Sequence, residues 1–221
     1  MINRLRDKPY VTYGLLGIMI LVYLIMTITG GTENPGNLLR FGAKYNPLIR
    51  AGEYWRLIAP VFIHIGLTHI LMNGITLYFI GQYVETLFGH WRFLIIFLVS
   101  GVVGNLASFA FSYNVSAGAS TAIFGLFGAF MMLGESFSRN QAIVSMAKTF
   151  LLFIVLNIAM DLFTPGIDIA GHLGGLVGGF LIAYVSGVSF SKVNPTKRVI
   201  AGITLVLVAG ALFVIGMRGS F

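Results

Sequence analysis

The sequence predicts an all-α, polytopic transmembrane helical bundle of about seven spans. Composition is the first reason: 57% of the residues are hydrophobic and only 10% are charged, against about 25% charged in a typical soluble domain. Such a chain cannot cover a water-facing surface with polar groups. Segmentation is the second: apolar stretches recur at lengths near the roughly 20 residues that a helix needs to cross a bilayer. The third is backbone chemistry. In hydrocarbon every N–H and C=O must be bonded internally, and stretches of this length achieve that as helices. A β-barrel would need spans about half as long with alternating polarity. The net charge of +7 reads as topology information rather than a nucleic-acid footprint. There is no cysteine, which removes disulfides and thiolate metal sites and leaves the redox compartment open.

In chain order the expected spans are 11–29, 54–80 with its membrane part starting near Leu67, 93–111, 119–137, 149–163, 169–188 and 199–217. The fifth is short, ends in "DLFTPG", and is expected to be tilted or loosely packed. With a cytoplasmic N-terminus, Arg4, Arg6, Lys8, Arg92, Arg139, Lys148, Lys192, Lys197 and Arg198 lie inside, and only Arg40, Lys44, Arg50, Arg56 and Arg218 outside. The positive-inside rule favours that orientation. "MINRLRDK" has the look of a signal anchor, with no small-residue cleavage site behind it. Residues 1–10 are thus expected in the cytoplasm, 11–188 as a six-span core, and 189–221 as a linker and seventh span. The first external loop, about 30–60, is too apolar and aromatic for disorder. It is expected to fold and to sink partly into the interface.

This topology brings two reactive side chains to similar depth. Ser120 opens span 4 and His172 lies a few residues into span 6, both entered from the outer side. A serine nucleophile and a histidine base must come within about 2.6–3.2 Å of each other. His172, Gly175 and Gly179 share one face of span 6, and Gly125, Gly128 and Ala129 form a stripe beside Ser120. Glycines at four-residue steps allow membrane helices to approach closely. Taken alone, Ser120 could simply bond its own helix backbone, but an ionisable residue inside a span is a functional candidate by default. In span 2, His69 and Asn73 are four residues apart on one face. Both donate hydrogen bonds, and with the Ser120 N–H they could stabilise an oxyanion; the bland role for the pair is to bridge helices. A metal site is disfavoured: His64 and His69 are five apart, HExxH is absent, and no carboxylate adjoins them. Asp168 could orient His172, but its place before span 6 suits a helix cap better. The reading is a Ser–His dyad.

These residues resemble the rhomboid family of intramembrane serine proteases. "GAS" at 118–120 is similar to the family's GxSG motif, "HILMN" at 69–73 to its HxxxN, and "GHLGG" at 171–175 to its histidine–glycine motif. Trp55-Arg56 resembles its first-loop Trp-Arg pair, and the spacing Gly81, Glu85, Gly89 its GxxxExxxG. All five occur in order, from span 1 to span 6. The resemblance implies Ser120 as nucleophile, His172 as general base, and His69, Asn73 and the Ser120 amide as oxyanion site. It implies transmembrane proteins as substrates, cleaved in or near their membrane segments, often after a small residue. It also implies a multi-pass place in the cell membrane, an active site open to the external side, and span 5 as a lateral gate. It calls for no cofactor, metal or nucleic acid and sets no oligomeric state. Thr121 departs from the family's usual glycine and is expected to crowd either the oxyanion or the helix contact without abolishing activity. The alternatives are a catalytically impaired rhomboid-like protein that binds transmembrane clients, and a small transporter. Both catalytic side chains are present, against the first, and paired repeats are missing, against the second.

Overall fold

A computed structural model describes residues 8–164 and 166–219. The N-terminal Arg4 and Arg6 used in the topology argument lie outside the described residues, as does Pro165 of "DLFTPG". Among the described residues there are nine α-helices: α1 (Tyr10–Thr29), α2 (Pro35–Phe41), α3 (Asn46–Arg50), α4 (Gly66–Phe88), α5 (His90–Phe111), α6 (Ser120–Ser136), α7 (Gln141–Asp161), α8 (Ile169–Ser186) and α9 (Pro195–Arg218). Helices α1, α5, α7, α8 and α9 are each long and apolar enough to cross a membrane. Their outward faces are apolar too: Ile28, Leu152, Val206 and Leu207 are all more than half exposed. Contiguous exposed apolar surface of this kind suits lipid, not water. The chain is a multi-pass membrane protein.

Helix α6 is the centre of the bundle. Twelve of its 17 residues are buried, and α5, α8, α7 and α4 surround it. Its contact with α8 is made of backbone. A Cβ on Gly175 would overlap the Thr121 carbonyl, one on Gly179 the Gly125 backbone, and one on Gly128 the Leu176 carbonyl. The glycine faces expected on spans 4 and 6 therefore do meet, and the two helices touch main chain to main chain.

Helix α1 is tied to α4 at a polar joint. Glu85, 2% exposed, accepts hydrogen bonds from the N–H groups of Val11 at 3.0 Å and Thr12 at 2.8 Å and from the Thr12 hydroxyl at 2.7 Å. It thus caps the start of α1 from a different helix, where a carboxylate also meets the positive end of the helix dipole. Gly81, one turn earlier, leaves room for Thr12. Gly89, at φ +85°, makes the left-handed turn into α5. The Gly–Glu–Gly spacing is a helix-joining device.

Two spans differ from expectation. Residues 54–62 form two short 3-10 turns, Tyr54–Leu57 and Ala59–Phe62, not the start of a long helix. Helix α4 instead runs from Gly66 to Phe88 because Gly89, rather than the polarity near residue 80, ends it. Helix α7 is not short: it has 21 residues, starting where Asn140 accepts hydrogen bonds from the N–H groups of Ala142 and Ile143. Loose packing does hold, since only Ala147, Phe150 and Ile154 of α7 are buried.

Members of the two sets of basic residues separated by the topology argument lie at opposite ends of α5. Arg92, near its start, and Arg198 bond the last carbonyls of α8, those of Ser186 and Val185, and Lys197 pairs with Glu135. Beyond the other end of α5, Lys44 bonds the Ser112 carbonyl. The first loop is folded as expected. Buried Arg56 donates to the carbonyls of Leu39 and Ala43 and pairs with Glu53, with its guanidinium 4.6 Å from the Trp55 ring centroid.

Replacing Gly179 by Ala should lower stability by about 1–3 kcal/mol or more, because neither backbone can yield. Gly210→Ala on α9, where nothing lies within 4 Å of a new Cβ, should be neutral or stabilising by up to about 1 kcal/mol. Thermal unfolding of the two variants in detergent micelles checks the pair.

Candidate active site

Ser120 is the first residue of α6, so its N–H is among those with no acceptor inside the helix. The chain reaches it through Gly118, at φ +135°. A Cβ at that position would lie 2.7 Å from His69 Nε2 and 3.7 Å from Ser120 Oγ. Glycine is required there twice: for the left-handed backbone, and to admit the His69 ring beside the serine. The approach segment is pinned from several sides. Gly118 N–H donates to the Pro60 carbonyl at 2.9 Å, Ala119 N–H to His64 Nε2 at 3.3 Å, and Ser116 pairs with Lys44 in an antiparallel bridge.

The His172 ring, 7% exposed, stacks on Phe124 at 4.3 Å between centroids with 10° between planes. Phe124 stands one helical turn beyond Ser120, so the stack holds the imidazole over the serine's face of α6. The Nδ1 of His172 lies 2.7 Å from Asp161 Oδ2 at the end of α7. Asp168 plays the capping part: its Oδ1 accepts from Gly171 N–H at 2.9 Å. On α4, His69 Nδ1 accepts from Ile65 N–H at 3.4 Å, which leaves Nε2 to carry the ring's proton. Asn73 donates one amide hydrogen to the His69 carbonyl at 3.0 Å and keeps a second.

Ser120, His172, His69 and Asn73 all line one cavity of about 720 Å³. Its walls are α4, through Met72 and Thr76, and α7, through Phe153 and Asn157, with Phe124 and Phe127 of α6 between them. A cleft with one nucleophile candidate, one base candidate and a cluster of donors has the composition that acyl transfer requires.

The Rhomboid domain family model matches residues 51–189. The chain belongs to the rhomboid family. It is 37% identical to "Rhomboid protease GluP" of Bacillus subtilis over 206 residues, which is 93% of this chain and 40% of that protein. It is 38% identical to "Rhomboid-like protease 2" of Toxoplasma gondii over 178 residues, 74% of this chain and 60% of the relative. With "RHOMBOID-like protein 4" of Arabidopsis thaliana it shares 38% over 148 residues, 65% of this chain and 37% of the relative. The chain therefore spans between 37% and 60% of the length of these three curated relatives.

Within this rhomboid site, Thr121 does not face the cavity. It is 4% exposed and fills the crevice left by Gly104 of α5 and Gly171 of α8. Of the two effects expected of its β-branch, only the helix contact is touched. Sequence reasoning missed three residues here. Asp161 stands out in the sequence only as the first residue of "DLFTPG", because a separation of 11 residues across a loop has no helical meaning. His64 was weighed only as a metal ligand. Lys44 was counted only as charge, yet its side chain is fully buried, with Nζ 2.8 Å from the Ser112 carbonyl and 3.1 Å from that of Asn114. Burial lowers the Lys44 pKa from 10.5 to about 8, against the opposing pull of Asp168.

Two expectations follow. Thr121→Gly should destabilise by about 1–3 kcal/mol through a void and a helix glycine, seen as a lower melting temperature in detergent. The folded state disfavours charged Lys44, so its contribution to stability rises with pH between about 8 and 10.5. Relative to Lys44→Met, the wild type should gain about 1–3 kcal/mol across that interval, measured by thermal unfolding of both proteins at each pH.

Proposed function

We propose that this rhomboid is an intramembrane serine endopeptidase that hydrolyses peptide bonds in or near the transmembrane segments of membrane proteins. The observation that carries the reading is the convergence of Ser120, His172, His69 and Asn73 on one cavity walled by membrane helices. Ser120 Oγ attacks the scissile carbonyl while His172 Nε2 takes its proton. The carbonyl oxygen becomes an oxyanion, met by His69 Nε2–H, an Asn73 amide hydrogen and the Ser120 N–H at the positive end of α6. Collapse of this intermediate breaks the C–N bond, and the imidazolium gives its proton to the leaving amine. Water, activated by the same imidazole, then releases the acyl group.

Residues 11–188 form the catalytic core in this reading, and 189–221 add a linker and a seventh span. The N-terminus is cytoplasmic, the bundle sits in the cell membrane, and the site faces the external side. Substrate enters between α4 and α7. What supports this route is the lining of the cavity by both helices and the small buried area of α7.

A fluorophosphonate probe should label the wild type at Ser120 and leave Ser120→Ala unlabelled. Cleavage of a transmembrane reporter should fall at least ~10³-fold in Ser120→Ala and His172→Ala. His69→Ala and Asn73→Ala should each lower kcat by about 10²-fold or more. A wild type that binds membrane clients but neither labels nor cleaves would make the protein a client-binding rhomboid instead.

A further inference from the structure

Rhomboid chemistry as read above needs only the serine and the histidine, yet the His172 imidazole has a third partner. We propose that Asp161 is a positioning residue for the reaction: carried on α7, it fixes the tautomer and orientation of His172, so that the histidine is aligned only while the end of α7 is seated. This inference rests on the protease reading.

The geometry is a charge-assisted hydrogen bond in a nearly dry place. His172 Nδ1 and Asp161 Oδ2 are 2.7 Å apart, with side chains 9% and 12% exposed. A carboxylate has no proton to give, so it accepts Nδ1–H and leaves Nε2 as the basic nitrogen. That is the nitrogen that must take the Ser120 proton. The Nδ1 proton stays on the ring throughout, and Asp161 stabilises the imidazolium formed at each proton transfer. The Phe124 stack restrains the ring's tilt, but a stack cannot choose the tautomer. Asp168, the carboxylate nearer in sequence, caps α8 through Oδ1 instead.

The location of Asp161 adds the second half. Helix α7 is anchored by Ala147, Phe150 and Ile154, with Phe150 stacked on Phe130 at 3.9 Å. From Val155 onward none of its residues is buried. Asp161 ends that stretch, and its bond to His172 ties it to α8. The helix that walls the substrate's route thus also supplies the group that orients the base. Outward movement of the α7 end withdraws the carboxylate, and its return restores it, so the base is aligned once the substrate is enclosed.

Two readouts separate positioning from a merely structural tether. One is the rate of Ser120 labelling by a small fluorophosphonate, which needs no passage for a helix. The other is kcat and KM on a purified transmembrane substrate. Asp161→Asn and Asp161→Ala should label about 10²–10⁴-fold more slowly and lose kcat in proportion, with KM changed less than about threefold. Asp161→Glu should recover most of both. Asp161→Asn keeps the side chain's size, and a melting temperature close to wild type shows that it is folded. Labelling of Asp161→Asn at the wild-type rate would overturn the proposal, and so would faster substrate cleavage by Asp161→Ala with unchanged labelling, the mark of a simple latch. Failure of the protease reading looks different: the wild type itself would not label at Ser120.

Discussion

Everything at the site depends on how closely α6 and α8 approach. Ser120 begins one of these helices and His172 lies near the start of the other, and neither side chain is long. A Cβ on Gly175 or Gly179 would enter the α6 backbone, and one on Gly128 would enter that of α8. In lipid there is no hydrophobic gain from bringing apolar faces together, so association rests on packing. Small residues convert that packing into proximity. The remaining helices act as a frame around this pair: α5 closes its other flank, with Gly104 and Gly174 yielding space to Thr121, Val103 and Ala107.

The first loop serves the same end from outside the bundle. Its buried cations hold carbonyls rather than solvent. Arg56 gathers Leu39 and Ala43, and Lys44 gathers Ser112 and Asn114. The 112–118 segment becomes an ordered approach to Ser120, and Pro60 and His64 complete its fastening. The position of Ser120 is therefore set by contacts with residues more than fifty positions away in the chain. Helix α7 stands apart from this order. It is held along one short stretch, walls the cavity, and ends at the histidine's carboxylate partner. The rest of the bundle positions Ser120, His69 and Asn73, while α7, with only three of its 21 residues buried, lines their cavity and bonds His172.

The membrane class, the glycine faces and the candidate residues Ser120, His172, His69 and Asn73 were legible in the sequence. Each of these signals is local: composition, a four-residue step, or a short motif. The Asp168 cap was legible for the same reason, since a cap acts within three residues of itself. The lengths of α4 and α7 were misjudged because their boundaries are set by the backbone turn at Gly89 and by the side-chain cap of Asn140, not by where apolar residues run out. The side on which Thr121 lies was not legible, because it depends on which neighbour offers space.

By itself, then, the sequence determined that this chain lives in a bilayer, which helices can pack backbone to backbone, and which side chains are candidates for reactive chemistry. Those properties follow from transfer energies and helical periodicity, which each segment has in isolation. Only the tertiary structure decided that Asp161 rather than Asp168 meets His172, that His64 and Lys44 brace the approach to Ser120, and that Thr121 faces α5 and α8. Those are pairings between segments remote in the chain. They are chosen by how whole helices and loops dock, and no single segment carries that information.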